Sequence, residues 1–118
     1  MTMAADTIRA VVAGPDDHDL AGALEAAGAT VTRIDGVVSA AALREAGIDA
    51  ADLLVITDVE EATGIPIAKE ENPDVRTVAY ADRSLPEFVA GVADLAVDPA
   101  LLDAETVAAE LVDAEPAA

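Results

Sequence analysis

Short β-branched runs alternate along the chain with longer alanine-rich stretches, and the two patterns predict different elements. Residues 8–13 read as a first strand that ends at Gly14-Pro15. In 17–27, Leu20, Ala23, Leu24 and Ala27 recur at helical spacing, with an Asp near the start and Gly28 as the stop. Thr30-Val31-Thr32-Arg33-Ile34 is a second strand closed by Asp35-Gly36, and Ser39 caps a short helix through Ala46, stopped by Gly47. The uninterrupted run Leu53-Leu54-Val55-Ile56 is that of a central strand covered on both faces. A helix over 63–72 carries Pro66 in its first turn and ends before Pro73. Residues 75–80 form a fourth strand, 86–91 a short helix and 95–97 a brief fifth strand. A final helix over 103–112 sets Ala104, Val107, Ala108 and Leu111 on one face and Glu105 and Glu110 on the other.

Strands alternating with helices call for a parallel sheet, because each parallel crossover needs a covering helix. The expected fold is a three-layer, Rossmann-like α/β domain over 8–112, with five parallel strands in the order 3-2-1-4-5 and tails at 1–7 and 113–118. Ligands of such sheets bind outside the carboxyl ends of the strands. The loops there contain Gly14, Asp35, Thr57, Asp58 and Arg83, the candidate binding residues.

Composition narrows the function. The 118 residues carry 24 acidic and 6 basic side chains, a formal net charge of −18, which argues against nucleic acid or an anionic membrane surface as the partner. Hydrophobic content of 53% is too high for disorder, and the chain contains one Phe, one Tyr and a single lysine, Lys69. Such a surplus of carboxylates suggests a protein adapted to concentrated salt, where its self-repulsion is screened. With no cysteine, thiolate catalysis, disulfides and thiolate metal sites are excluded. No targeting segment or membrane span is read, so the expectation is a cytoplasmic protein.

Leu20-Ala21, Leu24, Gly28, Val31 and Ile34-Asp35 resemble the first βαβ unit of the TrkA-N (RCK) domain of potassium-transport regulators. The stretches 51–58 and 93–99, and the helix after Pro99, are similar to later segments of that family, so the resemblance spans 8–112. It implies a regulatory domain that binds NAD(H) or an adenine nucleotide, pairs with a second copy and acts on a membrane transporter or another protein.

The phosphate loop departs from that pattern. A G-x-G-x-x-G fingerprint needs glycines for close backbone approach to a diphosphate, and here its positions fall on Val12, Gly14 and Asp17. Asp16, Asp17 and Asp19 also bring negative charge where a diphosphate would sit, a repulsion of about 4 kcal/mol per pair at 4 Å and intermediate dielectric. Asp35, 21 residues after Gly14, stands where an acid would meet ribose hydroxyls, or else closes an Asx turn with Gly36. Thr57 and Asp58 could line an adenosine pocket or cap the next segment, and Arg83 could hold an anion or pair with neighbouring carboxylates.

Catalysis finds little support. His18, the single histidine, reads as a solvated first-turn side chain, and Ser39 and Ser84 lie outside any nucleophile-elbow pattern. Small acidic proteins of this kind are also similar to ones labelled CTP synthetase. That activity needs a cysteine nucleophile and an ATP phosphate loop, and the chain has neither. The expectation is a non-enzymatic regulatory or interaction domain without conventional dinucleotide binding. The alternative is a working nucleotide binder in which Asp35 meets ribose and Thr57 or Arg83 completes the site. A homodimer is expected through the exposed edge of the short fifth strand.

Overall fold

In a computed structural model of the chain, residues 7–113 are described. The strands are β1 (Arg9–Ala13), β2 (Thr30–Ile34), β3 (Leu53–Ile56), β4 (Arg76–Tyr80) and β5 (Leu95–Val97). The helices are α1 (Leu20–Ala26), α2 (Ala40–Glu45), α3 (Gly64–Glu71), α4 (Glu87–Ala90) and α5 (Ala104–Asp113), with 3-10 turns at Ile48–Ala50 and Val59–Glu61. All strand pairs are parallel, in the order β2-β1-β3-β4-β5. The α/β class is as expected, but the strand order is not 3-2-1-4-5. It is the flavodoxin-like arrangement, with β3 between β1 and β4. The physical reason is legible in burial. All four residues of β3 are buried, which an edge strand could not achieve, whereas β2 buries only Ile34 and takes the edge.

Two cores flank the sheet. On one face, Val11, Ala13, Leu54 and Ile56 pack with Leu43 of α2, Ile65 and Ala68 of α3, and Val89 of α4. On the other, Ala10, Val12, Leu53, Val55 and Val78 pack with Leu20 and Leu24 of α1 and with Val107, Ala108 and Leu111 of α5. The division follows the period-2 alternation of side chains along each strand.

Local chemistry sets the element ends. Ser39 Oγ accepts the amide of Ala42 at 3.1 Å, as its position before α2 implies. The first helix is shorter than the 17–27 expected. Asp16 accepts the amides of Leu20 at 2.7 Å and Ala21 at 2.9 Å, and Asp19 sits in the left-handed region at φ 56°, so 17–19 form a turn. Arg44 makes a two-pronged contact with Glu71 at 3.0 and 3.1 Å, joining α2 to α3. That hydrogen bond lowers the Glu71 carboxyl and raises the Arg44 guanidinium from their ordinary values. Among the described residues no helix is long and apolar enough to cross a membrane. The expected tails lie outside the described residues except for Thr7 and Asp113.

Candidate functional site

Two places warrant a functional reading: the crevice at the carboxyl ends of β1 and β3, and the open edge at β5.

At the crevice, β1 leaves the sheet through Gly14, whose φ of +107° and lack of a side chain are both required. A Cβ there would fall 2.5 Å from Thr57 Oγ1. The Thr57 hydroxyl donates to the carbonyls of Ala13, at 3.2 Å, and Pro15. Gly14 and Thr57 therefore meet, and what they make is a clasp between the β1 and β3 turns. Asp58 accepts the amide of Glu60 at 2.9 Å and caps the 3-10 turn after β3.

The amides at the start of α1, where a diphosphate would be bound, are taken by the Asp16 carboxylate. Above them lies Arg33, a residue that sequence reasoning passed over. Its Nη2 donates to the Gly14 carbonyl at 2.7 Å, and its Nη1 is 3.9 Å from Asp16 Oδ2. The signal for Arg33 was its place next to inward-facing Ile34, which by alternation turns it to the α1 face beside the loop. Asp35 is exposed, and borders a cavity of about 360 Å³ with Gly14, Arg33, Asp58 and Glu61. A smaller cleft of about 110 Å³ lies between Asp16, Asp17, His18, Thr57, Tyr80 and Asp82. His18 is exposed, and its ring meets that of Tyr80 edge-on at 5.8 Å. Arg83 borders neither cavity and makes no ion pair among the described residues, so it is not drawn into pairing with its neighbours. Lys69 sits toward the opposite, amino-terminal end of the sheet, bonded to Asp94 and the Val75 carbonyl at 2.8 Å each. Among the described residues no group of three or more His, Asp or Glu side chains could hold a metal ion.

The β5 edge has the opposite character. Of the six large hydrophobic side chains exposed among the described residues, five lie within 88–102: Phe88 at 64%, Val92 at 38%, Leu95 at 45%, Leu101 at 79% and Leu102 at 43%. Val89 of α4 is fully buried, and its neighbour Phe88, the only Phe in the chain, faces solvent. β5 pairs with β4 alone, and its Leu95 and Ala96 are exposed. Leu95 lies opposite Val78 in register and so shares its face of the sheet, whereas α4 covers the other face through Val89. Apolar surface thus flanks the edge on both sides.

The charges within this stretch, Asp94 and Asp98, are internally engaged. Asp94 Oδ2 accepts from Lys69 Nζ and from the Thr77 amide at 2.8 Å, and Asp98 accepts the amide of Ala100 at 2.8 Å. Burial alone would raise the Asp94 carboxyl, but the hydrogen bonds from Lys69 and Thr77, with the Lys69 charge, hold it below the ordinary carboxylate value.

Comparison with solved structures gives the fold a context. The chain is similar to a pilus assembly-related protein from Burkholderia pseudomallei, at 20% identity and a TM-score of 0.67, covering 100% of this chain and 98% of that one. It is also similar to an orphan response regulator of H. pylori, at 17% identity and a TM-score of 0.68, covering 93% and 97%. An atypical orphan response regulator, described as having a phosphorylation-independent mechanism, matches at 15% identity and a TM-score of 0.68, covering 92% and 94%. At these identities the likeness is one of fold. No curated protein matches by sequence. These findings correct the resemblance to the TrkA-N (RCK) domain: the matched structures are response regulators and pilus assembly proteins, and β3 lies inside the sheet. That resemblance rested largely on apolar positions, which any sheet of this class repeats. The model of a family of unknown function, DUF7126, matches residues 10–111, and the chain belongs to that family.

Proposed function

We propose that this chain is a non-enzymatic interaction module that works in the cytoplasm by contacting another polypeptide through the β5 edge. The observation that carries the reading is the exposure of its one Phe, with Leu95, Leu101 and Leu102, around an unpartnered strand. A large aromatic is the side chain with most to gain from burial, and an exposed apolar cluster of this kind marks a contact surface. The crevice supports the same reading from the other side. Its helix-start amides at Leu20 and Ala21 are satisfied by Asp16, its cation Arg33 is bonded to the protein, and its acids Asp58 and Glu61 already accept backbone amides. A dinucleotide would have to displace all three arrangements. The orphan regulator with a phosphorylation-independent mechanism shows that a protein of this fold is described as regulating without phosphoryl chemistry. The transporter partner implied by the TrkA-N resemblance is not carried forward.

The test pairs two measurements in molar KCl. Millimolar NAD, NADH or ATP should leave the melting temperature unchanged, whereas a ligand at a hundred times its Kd would add about 2.7 kcal/mol. A tagged chain should retain a bound polypeptide that the Phe88→Asp, Leu95→Asp double variant releases without losing its fold. A nucleotide-induced shift, or retention of the same polypeptide by the double variant, would overturn the reading.

A further inference from the structure

We propose that residues 82–101 form a unit that opens and recloses while the rest of the domain stays folded, and that a clamp of Lys69 and Thr77 on Asp94 holds it closed. The inference goes beyond the interaction reading above and stands whatever contacts the β5 edge.

The unit is an excursion of the chain held at few points. It leaves after Tyr80, the last residue of β4, and returns at Leu102, where the Tyr80 hydroxyl donates to the Leu102 carbonyl at 2.9 Å and joins exit to return. Of residues 82–101 only Val89 is buried, and Leu85, Ala93 and Val97 are partly so. The framework around it is held together without it. β4 pairs with β3 from Arg76 to Ala79. Val107, Ala108 and Leu111 of α5 are buried in the core shared with α1, and Arg76 Nη2 of β4 donates to the Leu111 carbonyl at 2.8 Å. A segment with so few buried apolar contacts is the part of a domain that opens at the lowest cost.

What closes the unit is concentrated at Asp94, directly before β5. Its Oδ2 accepts from Lys69 Nζ of α3 and from the Thr77 amide of β4 at 2.8 Å each, and from the Thr77 hydroxyl at 3.2 Å. The Asp94 amide donates in return to the Thr77 carbonyl at 3.1 Å and to its hydroxyl at 3.2 Å. One residue of the unit is thus tied to a helix and a strand of the framework at once, through hydrogen bonds strengthened by charge. Thr77 is the fully buried polar side chain among the described residues, and the clamp is what satisfies its hydroxyl. Opening breaks all these bonds together and disperses the exposed apolar side chains of 88–102.

The experiment is amide hydrogen exchange of the full chain in 2 M KCl, read residue by residue. The amides of Ala81, Ala93 and Asp94 are bonded to Val97, Val89 and Thr77, so they report closure of the unit. They should share one protection factor, about tenfold or more below that common to β1 and β3. Ile34 lies on β2, at the far edge of the sheet, and packs alike in the closed and open forms. Ile34→Val should therefore lower protection in β1 and β3 by about two- to twelvefold and leave the three reporting amides unchanged. Lys69→Met and Asp94→Asn should each lower protection of the three amides by about threefold or more. A single protection factor throughout the wild type, or an Ile34→Val variant in which every amide loses protection alike, would show that the chain opens only as a whole and would overturn the proposal. Reporting amides indifferent to both Lys69→Met and Asp94→Asn would refute the clamp.

Discussion

Gly14 and Thr57 hold the β1 and β3 turns together, and the contact leaves no room for a methyl group. Gly14→Ala places a Cβ at positive φ and against the Thr57 hydroxyl, so urea unfolding in 2 M KCl should show a loss of about 1–3 kcal/mol. Adding Thr57→Ala should recover part of it, because the clash goes while the backbone strain stays. Asp16 satisfies two amides at the start of α1, and Asp16→Ala should cost about 1 kcal/mol. Asp94 carries a pH dependence of definite sign. Its folded carboxyl titrates below the unfolded value, so its stabilisation is complete above the unfolded pKa and is lost as pH falls through the folded one. Asp94→Asn should lower the melting temperature at pH 7, and the gap to wild type should narrow toward pH 3. An unchanging gap would show that the Lys69–Thr77 contacts act without the charge.

The elements differ in how openly the sequence declares them. β3 announces itself: four consecutive aliphatic residues can be satisfied only by cover on both faces, and all four are buried. Ser39 marks the start of α2 for an equally local reason. Strand order is not local. The 2-1-3-4-5 arrangement depends on which faces the crossovers cover, and a repeated βα pattern is compatible with more than one order. The crevice was half legible. Gly14, Thr57 and Asp58 do converge, but the cation over the loop is Arg33 and not the Arg83 expected near the crevice, because register brought Arg33 there. Phe88 was hidden by its context, since 86–91 reads as a short helix with no sign of which side faces in, and only the structure shows Val89 inward and Phe88 outward. The contrast is testable by truncation. Leu54→Ala, fully buried in β3, should cost about 2–5 kcal/mol. Leu101→Ala, 79% exposed, should stay within about 0.5 kcal/mol while weakening any contact made at the β5 edge.

For the whole molecule, charge and apolar surface are distributed unevenly. Twenty-four carboxylates against six cations keep most of the surface hydrated and mutually repelling, and the β5 edge interrupts that coat with side chains that gain by leaving water. The melting temperature should rise between 0.1 and 2 M KCl as the repulsion is screened, and a flat profile would contradict the salt-adapted reading of the composition.

Because the chain has one phenylalanine, labelling with 4-fluorophenylalanine gives a single fluorine resonance that reports the environment of Phe88. Its shift between light and heavy water measures solvent contact directly. In dilute chain at low salt the resonance should respond as an exposed ring. In concentrated chain or native extract at 2 M KCl it should move to a solvent-shielded position, and Leu95→Asp should abolish the move. A resonance that remains solvent-exposed in both settings would contradict the claim that this edge exists to be covered.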